Sequence, residues 1–234
     1  MNVVEIRRYP VKSMGGESLP HVDLDTRGLV GDRWFSVVDQ DGKLGSGKNT
    51  STFRRFDEIF EYSASMVDDQ VRVEGPAGSW RVDDRELEST LRGHLGAEVH
   101  VERETGTPFY DAGQVSIVGT ASLEWCREHL EVDGDRRRIR PNLVVSTTEP
   151  FVEEGWGGAT IRVGSVVLTM DRRIERCRMV DIAQEGLAEQ RGWLKALGRE
   201  RDLSLGMYAE VHTPGRIDLG DTVNVEHPSG SATP

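Results

Sequence analysis

Short runs of β-branched and apolar residues, each closed by glycine, proline or paired acidic residues, constrain this chain more than any other feature. Residues 3–11 form the first such run, and Pro10, which has no N–H to give a sheet, predicts that the strand ends there. Residues 33–40 read as a second strand, and Asp41-Gly42 as the hairpin turn that follows it, because glycine accepts positive φ. Residues 58–66, 71–74, 79–82 and 98–102 continue the pattern, divided by Asp68-Asp69 and by Gly75-Pro76-Ala77-Gly78. In the second half, residues 115–118, 139–146, 160–163, 166–170 and 207–212 read as strands, with a final pair around Ile217 and Val223.

Three helices are expected to interrupt the strands. Asp84 can cap a helix whose Leu87, Leu91 and Leu95 recur every four residues, with Gly96 placed to end it. Thr120 can cap a second over residues 121–130, where Leu123, Cys126 and Leu130 share a face, and residues 187–197 read as a third. The fold class is therefore mainly β with α insertions, an α+β chain with a β-barrel-like core rather than a parallel α/β sheet. Turn residues 105–108 suggest a boundary between a strand-rich, β-barrel-like N-terminal domain, 1–104, and a second domain, 105–227, while residues 228–234 read as a flexible tail.

Charge narrows the function. A net charge of -11 argues against general binding to nucleic acid or to a membrane surface. The basic run Arg136-Arg137-Arg138-Ile139-Arg140 then reads as a solvated charged face. Residues 1–10 lack the apolar core of a signal peptide, and no apolar run reaches the length of a spanning helix, so a soluble, cytoplasmic protein is expected. Two cysteines make neither a disulfide framework nor a four-thiolate iron–sulfur site, and the six histidines show no zinc-ligand spacing.

One stretch stands apart. Cys177 lies in the run from Met170 to Asp181 among Arg172, Arg173, Arg176 and Arg178. Positive charge favours the thiolate, which is the nucleophile and the metal ligand. In an extended chain, however, Arg176 and Arg178 point away from Cys177, while Glu175 and Met179 share its face. A reacting centre and a small buried core residue both remain open for Cys177. Cys126, on the apolar face of its helix, reads as core. Gly42-Lys43-Leu44-Gly45-Ser46-Gly47-Lys48-Asn49 nearly matches a phosphate loop, but Asn49 replaces the magnesium-binding hydroxyl and a hairpin replaces the strand-to-helix context. Nucleotide hydrolysis is not expected, although Lys48 can still meet an anion.

The order of several motifs resembles the MOSC family, the molybdenum cofactor sulfurase C-terminal domain, preceded by its N-terminal β-barrel domain. The motifs are Tyr9-Pro10-Val11-Lys12-Ser13, Gly31-Asp32-Arg33-Trp34, Val37-Val38-Asp39, the segment 111–123, Arg140-Pro141-Asn142, Arg176-Cys177 and Leu219-Gly220-Asp221. Within the family the likeness is to the mitochondrial amidoxime reducing component and its bacterial relatives. The resemblance implies a molybdenum cofactor (molybdopterin) in a cleft between the two domains, with Cys177 as the metal ligand. It further implies cofactor contacts from Lys12, Ser13, Lys48, Arg140, Asn142 and Tyr208, and no pyridoxal phosphate. Soft dithiolene sulfurs and a thiolate suit molybdenum, and lysine and arginine suit a pterin's phosphate.

Glu175, where relatives often carry a small or polar residue, is a candidate proton donor provided that burial raises its pKa. The implied activity is an oxidoreductase that removes oxygen from N-hydroxylated or other N-oxygenated small molecules. No flavin, haem or iron–sulfur site is identifiable, so an external electron-donor protein is expected. An alternative from another class is a cofactor carrier or sulfur-transfer protein that bears a persulfide on Cys177.

Overall fold

The computed structural model describes residues 1–227, so the expected tail at 228–234 lies outside the described residues. Its centre is an eight-stranded sheet in the order Val223–Glu226, Thr160–Val163, Val166–Glu175, Ser204–Thr213, Val115–Gly119, Leu143–Val145, Val3–Arg8, Glu17–Ser18. Val115–Gly119 and Leu143–Val145 run parallel, and a parallel pair needs a crossover, here through the helix Thr120–His129. The chain is mainly β with helices inserted, as expected. No helix among the described residues is long and apolar enough to cross a membrane.

Three apolar clusters fill the molecule. One lies beneath the large sheet and joins Val3, Ile6, Val22 and Leu24 to Val115, Leu143, Leu168 and Met207. The first strand is thus paired with Leu143–Val145, and the chain crosses the 104/105 boundary in space because burying Val3 and Ile6 needs the second half's sheet. A second cluster gathers Val11, Val37, Ile59, Phe60 and Val73 under smaller sheets, with the helix Arg85–Leu95 supplying Leu87 and Leu91. The third packs Cys126, Trp193, Leu197 and Leu205 around Val118 and Val180.

Local expectations differ from the structure where burial overrides alternation. Residues 58–61 form a 3-10 turn, Asp57–Glu61, because consecutive Ile59 and Phe60 both enter the second cluster, whereas a strand sends neighbouring side chains to opposite faces. The helix expected from 187 begins at Trp193, since Gly192 sits at φ +124 and Leu187 pairs instead with Gln184. The strand expected over 139–146 is Leu143–Val145, preceded by the helical turn Arg136–Ile139 and a left-handed Arg140. That turn is a solvated face only in part: the Arg136 and Arg137 side chains remain partly exposed, and Arg138 does not. Arg138 is 3% exposed and donates to the carbonyl oxygen of Ala188 (2.8 Å) and to Asp133 (2.6 Å).

The near phosphate loop is confirmed as a hairpin. Phe35–Asp39 pairs antiparallel with Leu44–Ser46, Gly42 takes φ +76, and the chain continues to the strand Phe53–Arg55, not to a helix.

Candidate functional site

Where the second and third clusters meet, a cleft of about 720 Å³, including its open mouth, runs between the halves of the chain. Lys12, Ser13 and Arg33 line it from the N-terminal side, and Asn142, Arg140, Cys177 and Tyr208 from the other. Glu175 and Asp111 reach it as well. Seven of the eight residues expected at a site from the sequence share this one cleft; Lys48 lies beside it, 3.7 Å from Asp111.

Cys177 follows the long strand Val166–Glu175 and opens a single 3-10 turn, Arg178–Val180. The turn is gripped from two sides: Met179 and Ile182 pack into the second cluster, Val180 into the third. The thiol is half-buried and free. Its sequence neighbours have other duties. Arg176 donates to the carbonyl oxygens of Ile139 (2.7 Å) and Leu205 (2.9 Å), and Arg178 pairs with Asp57 (2.6 Å). The cations that line the cleft with Cys177 are mostly remote in sequence: Lys12, Arg33 and Arg140. Cys126, by contrast, is fully buried, and burial pushes its thiol up to about 12, which fits the core role read from its helix face.

Glu175 is exposed at the cleft's edge, where two register shifts disturb the pairing of its strand with Ser204–Thr213. The burial that the proton-donor reading requires is absent. Glu175, Cys177 and Met179 all line the cleft, but not as one face of an extended chain, because the strand ends at Glu175 and the 3-10 turn carries Met179 inward.

Lys12 is 4% exposed and donates to the carbonyl oxygen of Phe109 (2.8 Å) and to Asp111. Burial alone would raise the Asp111 carboxyl, but Lys12, Lys48 and Arg33 outweigh it and hold the group well below the usual carboxylate range. A carboxylate depressed in the folded state contributes stability that is present above its unfolded pKa of about 3.9 and is lost as pH falls towards the folded value. The stability advantage of wild type over Asp111→Asn is therefore expected to shrink as pH is lowered from 5 to 3. Melting curves of both proteins across that range check it; a constant difference would remove the linkage.

Asn142 is 2% exposed and heavily engaged: its Oδ1 accepts from the Ser116 backbone N–H (3.1 Å) and hydroxyl (2.9 Å) and, at 3.5 Å, from Arg33 Nη1, and its Nδ2 donates to the Arg7 carbonyl oxygen (3.3 Å). It ties three strands together at the cleft wall, a role the expected pterin contact did not include. Ser13 likewise donates its hydroxyl to the Gly45 carbonyl oxygen (3.0 Å). Tyr208 packs close against Gly113, where an added Cβ would lie 2.5 Å from the ring.

Arg140 differs from all of these. It is 7% exposed, and its Nη1 is buried without a hydrogen-bond partner, although Glu185 lies 3.7 Å away. Burial lowers its pKa, a tendency opposed by Tyr9 and Glu185. A buried guanidinium nitrogen with unused donors on a cleft wall is a seat for an anion. Arg33 and Asp111 stood in motifs noticed in the sequence, yet no role was assigned to them, because their importance comes from convergence over about a hundred residues of chain.

Comparison with known proteins agrees with this architecture. The MOSC N-terminal beta barrel domain matches residues 1–133, and the MOSC domain matches residues 96–224. The chain is 22% identical to mitochondrial amidoxime-reducing component 1 of Mus musculus, over 94% of this chain and 81% of that protein. It is also 22% identical to molybdenum cofactor sulfurase of Arabidopsis thaliana, over 76% of this chain but only 28% of the sulfurase's length. The crystal structure of the YUAD protein from Bacillus subtilis superposes with a TM-score of 0.57 at 16% identity, covering 97% of this chain and 96% of that one, which establishes a shared fold. With each of the two domain matches spanning more than half of the sequence, and the motifs of both meeting at one cleft, the chain belongs to the MOSC domain family.

Proposed function

We propose that this protein binds the molybdenum cofactor in the cleft and reduces N-hydroxylated or other N-oxygenated small molecules, using electrons from a separate protein. The observation that carries the proposal is the pairing of a half-buried free thiol, Cys177, with the buried Nη1 of Arg140, which has no hydrogen-bond partner, among the residues that line one cleft. The first is a soft ligand for molybdenum and the second a donor for the pterin's phosphate. Among the described residues, no group of three or more His, Cys, Asp or Glu converges, so a metal in this cleft would arrive with most of its ligands on an organic cofactor.

The bound cofactor supplies the two-electron chemistry that removes oxygen from nitrogen. The chain's residues orient and neutralise. Cys177 offers its thiolate to the metal from a turn fixed between two cores. Arg140, with Lys48 at the margin, offsets the phosphate charge. Lys12 is fastened to Asp111, so it acts on the cleft chiefly by holding that carboxylate in place. Tyr208, held by Gly113, gives the substrate one flat wall.

Purification from a host that makes the cofactor tests the proposal. Molybdenum and oxidised-pterin fluorescence are expected in equal, near-stoichiometric amounts, and the dithionite-reduced protein is expected to convert an aryl amidoxime to its amidine. A folded chain with neither molybdenum nor pterin, from a host that loads a known relative, would refute it. Sulfane sulfur on Cys177 of such a chain would instead support a cofactor carrier or sulfur-transfer protein that bears a persulfide there.

A further inference from the structure

Beneath the cleft wall, the phenol ring of Tyr9 is fully buried and faced by three guanidinium groups. Arg140 lies 4.3 Å from its centroid, Arg33 4.9 Å and Arg7 5.5 Å. All three distances fall within the range at which a cation is drawn to an aromatic face. Two of the three, Arg140 and Arg33, line the cleft.

Both of those residues are left-handed, at φ +51 and +52. For a residue with a β-carbon this conformation is strained and persists only where the surroundings over-determine it. Tyr9 supplies much of that surrounding, through its backbone as well as its ring. The Tyr9 carbonyl oxygen accepts from the Arg33 N–H (2.7 Å), and Asp32 accepts from the Tyr9 N–H (2.8 Å) while pairing with the Arg33 guanidinium. The Tyr9 hydroxyl accepts from Arg7 Nε (3.1 Å) and donates to the Pro141 carbonyl oxygen (3.5 Å). Gly16 lies against the ring so closely that an added Cβ would stand 2.6 Å from it, which leaves the ring no room to tilt. Glu185 closes the group by pairing with Arg7 and approaching Arg140.

We infer that Tyr9 is a positioning residue: its ring is the platform that holds the guanidinium groups of Arg33 and Arg140 at the cleft wall, ready to receive an anion. Asp32 and Glu185 offset part of the like charge, and the electron-rich face adds a common seat that limits the rotamer freedom of both long side chains at small entropic cost. The inference rests on the proposed anion-holding role of the cleft. It assigns to the ring's electrons, rather than to its bulk or its hydroxyl, the task of presenting the donors.

Calorimetric titration of the cofactor-free chain with inorganic pyrophosphate tests it, on wild type, Tyr9→Phe and a protein carrying pentafluorophenylalanine at position 9. The fluorinated ring keeps nearly the same outline but reverses the charge on its face, so it separates the electrostatic role from a packing role. Tyr9→Phe is expected to bind within about threefold of wild type, because the hydroxyl's bonds, from Arg7 and a long one to the Pro141 carbonyl oxygen (3.5 Å), are not made with the guanidinium groups of Arg33 or Arg140. The fluorinated protein is expected to bind about tenfold more weakly. Equal binding by the phenyl and fluorinated proteins would overturn the inference, as would a wild type that takes no pyrophosphate. Molybdenum and pterin content of the same proteins from a cofactor-producing host is a separate readout. A wild type that binds pyrophosphate but carries no cofactor sinks the proposed function and leaves the platform standing.

Discussion

Cys177→Ala, purified from a cofactor-producing host, is expected to lose nearly all of its molybdenum while melting within about 2 °C of wild type. Removing an outer-shell partner of a metal already costs about 10–100-fold in affinity or activity, and a directly bound thiolate is expected to exceed that range. Amidoxime reduction should therefore fall by at least about 100-fold. Stability is expected to change little because the thiol is half-buried and the turn that bears it is anchored by Met179, Val180 and Ile182 rather than by sulfur. Elemental analysis and a melting curve on the same preparation read both effects. Cys126→Ala is the control and should keep its metal, since that thiol lies within the third cluster. Full molybdenum retention in Cys177→Ala would remove the cysteine from the metal.

Asn142→Leu is expected to act on the fold itself. Leucine is close in size, but it strands the Ser116 N–H and hydroxyl and the Arg7 carbonyl oxygen, all paired with the amide in wild type. Unpaired buried groups cost about 1–3 kcal/mol each, so a loss of about 3–5 kcal/mol is expected. For a chain of this size that lowers the melting temperature by about 10 °C. The measurement is made on cofactor-free protein, where a residue serving only to contact the pterin would leave the melting temperature unmoved. A shift below about 2 °C would return Asn142 to the contact role that the resemblance implied.

Asn142 also shows where sequence reading ends. The Arg140-Pro141-Asn142 motif was legible, as was its place near a cleft, yet the two members have different duties. Arg140 keeps a nitrogen without a hydrogen-bond partner, and Asn142 spends most of its side chain on sheet joints. Nothing in the spacing distinguishes them, because the distinction depends on Ser116 and Arg7, which lie 26 and 135 residues away. Cys177 is a second example. Its flanking arginines suggested that charge is supplied locally, but backbone geometry turns Arg176 and Arg178 to carbonyl oxygens and Asp57, and the cleft draws Lys12, Arg33 and Arg140 from elsewhere.

The amino-acid sequence by itself determined the strand-rich class, the helix over Arg85–Leu95 with its left-handed Gly96, the hairpin at Gly42 and the core position of Cys126. Each of these is set by residues a few positions apart, through alternation, capping and turn chemistry. Only the tertiary structure decided that Val3–Arg8 joins the sheet of the second half, that the basic run at Arg136–Ile139 is partly buried, and that Tyr9 lies under two cleft arginines. These follow from which distant surfaces exclude water together. Burial of that kind belongs to no local stretch of chain, so local patterns carry no record of it.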